Sequence, residues 1–134
     1  MPSTPSDSWP AETIPVLHVS DAANAVAWYR RLGFTEEWVH RYEPGFPAFV
    51  SIVLDGPGTR LFLSEHRGNA LGPAFVWLRV PDIAPVAAAF GADPKPAGAR
   101  VEVALVDPDG NRVTVGAIGD PALHPAEEYR YTLE

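Results

Sequence analysis

The chain contains no cysteine among its 134 residues. That excludes disulfides, thiol catalysis and cysteine-based zinc sites, and it fits a cytoplasmic protein. No apolar run approaches the roughly 18 residues of a membrane span, so no membrane partner is expected. Positive charge is in deficit, with 10 Lys and Arg against 17 Asp and Glu, a net charge of −7. A surplus of negative charge disfavours a nucleic-acid backbone as partner. Residues 1–13 carry neither a basic segment nor an apolar one, so no signal peptide is expected. No P-loop, GxGxxG or Ser-His-Asp constellation is present to indicate another enzyme class.

What is present is ordinary for a soluble globular chain: 46% apolar and 20% charged residues. The length fits one domain, large enough to bury about two-thirds of the surface its unfolded form would expose. Residues 1–12 are rich in Pro and Ser and read as a flexible lead-in, and 118–134 read as an acidic C-terminal tail. The ordered domain is expected over 13–117, with a first module at 13–66 and a second at 73–117.

Ile14–Val19 reads as a strand. Ser20 and Asp21 are candidate N-caps for a helix marked by Ala22, Val26, Trp28, Tyr29 and Leu32, with Gly33 as its C-cap. Strand-like runs follow at Phe34–Tyr42, Phe49–Asp55 and Arg60–Glu65, the last two joined by the turn Asp55-Gly56-Pro57-Gly58. After a loop at His66–Gly72 the order restarts: a strand at Ala74–Val80, a short helix opened by Pro81 and Asp82 and ending near Gly91, then strands at Val101–Val106 and Arg112–Val115 around the turn Asp107–Asn111. At an offset of 61, Leu17/Leu78, Val19/Val80, Asp21/Asp82 and Tyr29/Phe90 coincide in type; at an offset of 52, Asp55/Asp107, Gly58/Gly110, Arg60/Arg112 and Leu63/Val115 do. The stretch Ala92–Ala99 is where the second half is compressed. Two registers that each join equivalent elements predict a duplicated βαβββ module.

These segments carry a family resemblance. IPVLHVSDAANAVAWYRRLGF, RLFLSEH, FVWLRVPDI and VDPDGNRVTV, in that order and spacing, resemble the vicinal oxygen chelate superfamily of glyoxalases, bleomycin-resistance proteins and dioxygenases. The resemblance implies an α+β fold of two tandem βαβββ modules, whose mixed sheets curl into a cup completed across a homodimer. It also implies up to four metal-ligand positions on the cup face. Those positions fall here on Ile14, Phe62, Phe75 and Thr114, and none is a His or a carboxylate. A divalent ion needs several such ligands converging, so no metal and no other cofactor is expected. His18, Glu65 and His66 are the candidates to replace the missing ligands, and pocket-wall histidines are the simpler reading; His124 falls in the tail.

Period-two alternation sorts the strands into two faces. Leu17, Val19, Leu61, Leu63, Val76, Leu78, Val80, Val113 and Val115 form an aliphatic, helix-packed face. Ile14, Val16, His18, Arg60, Phe62, Ser64, Phe75, Trp77, Arg79, Arg112 and Thr114 form a mixed face that reads as a ligand cup. Trp38, His40 and Tyr42, spaced by two, add to it, as does Phe49. Flat rings offer stacking surface to planar ligands.

Within the superfamily the chain is most similar to the metal-free bleomycin-resistance type. The resemblance implies sequestration of an antibiotic without chemistry, with Trp38 in the place of a stacking aromatic. A second stacking tryptophan of that type has no counterpart in Pro96-Ala97-Gly98-Ala99, and Arg60 and Arg112 are gained. A planar natural product carrying an anionic group is therefore an equal alternative to bleomycin. The expected site is His18, Trp38, His40, Tyr42, Phe49, Arg60, Phe62, Phe75 and Trp77, with no catalytic residue. The other readings are a metal-dependent lyase or dioxygenase, a metabolite-binding member, and metal-independent acid/base catalysis through His18, His40 and Glu65.

Overall fold

The computed structural model describes residues 11–54, 58–69 and 72–118. Most of the expected lead-in, the 119–134 part of the tail with His124, and three residues of the Asp55–Gly58 turn lie outside them. The described residues form β1 (Val16–His18), α1 (Ala22–Arg30), β2 (Thr35–Arg41), β3 (Ala48–Leu54), β4 (Thr59–Ser64), a 3₁₀ turn (Arg67–Asn69), β5 (Phe75–Arg79), α2 (Ala84–Phe90), β6 (Lys95–Ala97), β7 (Arg100–Val106) and β8 (Arg112–Ile118). The duplication is real: each half is βαβββ and makes its own four-stranded sheet, in the orders β1-β4-β3-β2 and β5-β8-β7-β6. In both sheets the first strand runs parallel to the fourth and the other pairings are antiparallel. Neither sheet closes on itself.

The helix signals act where expected, with two displacements: the C-cap of α1, and the start of α2, whose N-cap is Ile83 rather than Asp82, although Asp82 Oδ1 accepts from the Ala84 N–H at 3.0 Å. Asp21 caps α1, its Oδ1 accepting from the backbone N–H of Asn24 at 3.2 Å. The C-cap is Arg31 rather than Gly33, whose N–H donates instead to the Arg30 carbonyl. Gly33 takes φ +107°, a conformation costly for any residue with a Cβ, and so turns the chain into β2 two residues after the helix has ended. Gly91 caps α2 as read from sequence. The Ala92–Ala99 stretch holds a strand that the alternation did not reveal. β6 is at the sheet edge, where Pro96 lacks only a hydrogen bond that no neighbour would accept.

Apolar alternation decides the core. The helix-side face of β1, β3, β4, β5 and β8 is buried, whereas β2 is exposed along its whole length: Leu17, Val50, Ile52, Leu61, Leu63, Leu78, Val113 and Val115 form one cluster with Ala25, Val26 and Tyr29 of α1 and with Phe34. Each fully buried aliphatic side chain of this kind contributes about 1.5–3 kcal/mol. The two modules share this cluster, and a polar clasp joins them as well. The buried Asp107 carboxylate, in the β7–β8 turn, accepts from the Tyr29 hydroxyl at 2.8 Å and from Asn111 Nδ2 at 2.9 Å. Asn111 Nδ2 also donates to the His18 carbonyl at 3.1 Å. Burial, reinforced by the Asp107 charge, pushes the Tyr29 hydroxyl above its usual range, which keeps it protonated as the donor. Among the described residues no helix is long and apolar enough to cross a membrane.

Candidate ligand-binding site

With the helices covering one face, no described helix packs on the opposite face of either sheet. On the first sheet it presents two cross-strand rows. One runs Val16, Phe62, Ser51, Trp38, and the next His18, Ser64, Phe49, His40. Three rings meet there. The Trp38 and Phe49 rings lie nearly parallel, 13° apart with centroids at 6.1 Å, and Phe62 packs against both, at 5.5 and 5.0 Å. Trp38 keeps 43% of its surface exposed. A flat, rigid, half-open aromatic shelf results, suited to stacking a planar guest at low entropy cost.

The shelf has a polar underside that alternation hides. The β2–β3 register slips between Glu36 and Trp38. A bulge of this kind sets two residues of one strand against one of its partner. Glu37, which simple alternation assigns to the helix side, therefore turns to the open face beside Trp38. Its Oε1 accepts from the buried Ser51 hydroxyl at 2.7 Å and from Arg60 Nε at 2.8 Å, and its Oε2 from Arg60 Nη2 at 2.8 Å. Arg60 Nη1 donates to Glu12 Oε1 at 2.6 Å. The bidentate Arg60 guanidinium, helped by Ser51, holds the Glu37 carboxyl down at about 2. Arg60 is thus matched by two carboxylates, Glu37 and Glu12. Ser64 is withdrawn too. It is fully buried, and its hydroxyl accepts from Asn69 Nδ2 and the His66 N–H.

The second sheet presents a different surface. Phe75 and Trp77 are 60% and 40% exposed. Arg112 lies over the Phe75 ring at 5.3 Å and Arg100 beside the Trp77 ring at 5.6 Å. Trp77 Nε1 donates to Glu102 Oε2 at 3.1 Å. The indole lies so close over Gly116 that a Cβ there would sit 2.5 Å from its Cζ2. Among the described residues no aromatic contact joins Phe75 and Trp77 to the Trp38 shelf. The nine expected site residues thus divide. Trp38, Phe49 and Phe62 come together, with Arg60 two residues from Phe62 along β4 and bound to Glu37. Phe75 and Trp77 stand on the other sheet. Tyr42 pairs with Phe46 past the end of β2, and His18 and His40 end a row three strand spacings apart, about 14 Å.

That spacing also separates the acid/base candidates. Glu65 faces the helix side, where its carboxylate oxygens accept from the backbone N–H groups of Ala22 and Ala48 at 2.7 and 2.8 Å. The family's metal does not fit the residues present. Ile14, Phe62 and Phe75 have no donor atom to offer, and the Thr114 hydroxyl alone is a poor ligand for a divalent ion. Among the described residues no three His, Asp or Glu side chains converge.

Residues 7–118 match the family model for glyoxalase superfamily proteins. The chain belongs to the glyoxalase superfamily. Solved members of similar fold surround this superfamily protein. TnmS3, an antibiotic binding protein from Streptomyces sp. CB03234, superposes with a TM-score of 0.67 at 20% identity, covering 84% of this chain and 98% of that one. A bleomycin-binding protein complexed with bleomycin gives 0.59 at 20%, covering 81% and 98%. A glyoxalase-related enzyme from Clostridium phytofermentans gives 0.64 at 16%, covering 82% and 96%. At these identities the likeness is one of fold. No curated protein matches the sequence.

Proposed function

We propose that this glyoxalase-superfamily protein is a metal-free binding protein that sequesters a planar aromatic small molecule, an antibiotic of the bleomycin kind, without acting on it chemically. One observation carries the reading: the near-parallel Trp38–Phe49 pair, seated on Phe62 and open to solvent on the helix-free face. A monomer of the same design would leave that face, with Phe75, Trp77 and Val106, uncovered. A homodimer in which each copy closes the other's open face supplies the cover, and the Phe75 and Trp77 rings then stand in for the second stacking aromatic missing from β6. Fold relatives that bind antibiotics support the reading. The unsuited residues at the four ligand positions weigh against a metal-dependent lyase or dioxygenase.

The test is a titration of metal-stripped protein with bleomycin, followed by tryptophan fluorescence, for the wild type and Trp38→Ala. Saturable binding at one ligand per subunit is expected, weakened about tenfold or more in the variant, since losing a ring stack of about 1.5 kcal/mol costs that factor. Equal affinity in both proteins would remove the shelf from the site. Absence of binding would remove bleomycin as the guest. Gel filtration should return a dimer, and a clean monomer would refute the mutual-cover arrangement.

A further inference from the structure

One cleft lies apart from the aromatic shelf. It measures about 350 Å³ and opens where the end of β1, the end of β4 and the β2–β3 loop meet, with His18, Arg41, Phe46, Pro47, Glu65 and Arg67 among its walls. Ligand sites start at about 300 Å³, so it stands at the small end of that range, with ample room for one polar arm of a guest.

Charge inside the cleft is unbalanced. Glu65 is the one carboxylate on its walls. Both of its oxygens are already taken by backbone N–H groups, one of them from Ala22, the first residue of α1. Helix N-terminal amides themselves offset negative charge. Arg41 approaches Glu65 only to 3.7 Å, and its Nη1 is held instead by the Phe46 carbonyl at 2.7 Å. Arg67, exposed on the 3₁₀ turn, makes no ion pair among the described residues, where the pairs belong to Arg41, Arg60 and Arg100. Arg41, which meets Glu65 only at 3.7 Å, and Arg67, which has no ion pair among the described residues, therefore line a space whose one described carboxylate already accepts from two backbone N–H groups. Planar forks of N–H donors in that state match an oxyanion.

The cleft is also within reach of the shelf. His18, on its wall, shares a cross-strand row with Phe49 through Ser64. Two strand spacings separate them, about 10 Å.

We propose that this cleft binds an oxyanion, the carboxylate, sulfonate or phosphate arm of the same aromatic guest that stacks on Trp38, with Arg41 and Arg67 as its ligands. The arm rests on the stacking reading for its ring; the cleft's charge does not. The guest class is thus an aromatic anion whose charge lies about 10 Å or more from its stacked ring, since only the Phe49 side of the shelf is two strand spacings from His18. This relocates the anion-binding role from Arg60, which is paired, to Arg67, which has no ion pair among the described residues.

The probes are 4-(dimethylamino)azobenzene-4′-sulfonate, whose ring and charge have about that separation, and its neutral 4′-sulfonamide. Affinities are read by tryptophan quenching. The wild type should bind the sulfonate more tightly. Arg67→Gln should weaken the sulfonate about three- to tenfold and leave the sulfonamide unchanged, the range expected for one part-exposed charge contact. Inorganic sulfate should displace the sulfonate only. Equal affinities for the two dyes in the wild type, or an unchanged sulfonate affinity in Arg67→Gln, would overturn the cleft. If Trp38→Ala leaves both affinities unchanged while Arg67→Gln remains selective, the stacking reading fails, and the cleft stands as an oxyanion site by itself.

Discussion

The two modules repeat one topology and put it to different uses. In the first, nine-residue α1 buries Ala22, Ala25, Val26 and Tyr29, and the open sheet face carries three mutually packed rings over a neutralised Glu37–Arg60 pair. In the second, seven-residue α2 buries only Val86, and the open face carries single rings flanked by arginines. The equivalent positions Tyr29 and Phe90 show how the divergence was reached. Tyr29 reaches Asp107 across the molecule, whereas Phe90, lacking the hydroxyl, lies under Arg31 at 4.0 Å and against Trp28. A duplicated fold thus keeps its aliphatic face constant, because both copies must pack on the same core. Its other face is free to vary, because none of the described helices packs on it.

The sharpest way to break the comparison is to cut the clasp that holds the modules together. Asp107→Ala strands the Tyr29 hydroxyl, Asn111 Nδ2 and the N–H groups of Asp109 and Asn111, all of which its carboxylate now accepts. A loss of about 3 kcal/mol or more is expected in denaturant unfolding. Tyr29→Phe, which makes the first module like the second, should cost about 1 kcal/mol. A loss in Asp107→Ala no larger than that in Tyr29→Phe would show the clasp to be dispensable.

A smaller effect distinguishes the two open faces. Gly116→Ala drives a Cβ into the Trp77 indole. The ring is 40% exposed and can swing outward, so the expected loss is about 1 kcal/mol, the low end for overpacking, with loss of the Nε1–Glu102 hydrogen bond and a shift in tryptophan emission. An unshifted spectrum would mean that the strand, not the ring, gives way. The Trp38 shelf on the other sheet should be untouched.

The smallest effect is on acid stability. Glu37 has its carboxyl lowered from 4.5 to about 2 in the folded protein. A depressed folded value means a contribution fully present above 4.5 and lost as pH falls towards 2. Glu37→Gln should therefore lower the neutral-pH stability slightly, since solvent screens a part-exposed pair, and flatten the acid limb, so that variant and wild type converge as pH falls towards 2. An identical acid limb in the variant would mean that the Arg60 contact does not persist in solution.

Much of this was legible in one dimension. The order of elements, the duplication, the aliphatic face and the grouping of Trp38, Phe49 and Phe62 all follow from period-two alternation, helix caps and turn residues, which are local properties. β6 was hidden because Pro96 reads against a strand unless its edge position is known. Glu37 was hidden because a bulge adds one residue and reverses the alternation from there on, without a mark in the residues themselves.

The chain's own pattern of apolar and polar residues therefore set the βαβββ repeat and decided which side of each strand faces the core, since burial acts on every second residue alike. Which charges are spent and which are free was settled only in three dimensions. Arg60 and Arg67 look equivalent in the sequence, seven positions apart. One meets Glu37 and Glu12 and the other meets neither, because pairing depends on which distant carboxylates the sheet register brings within about 3 Å.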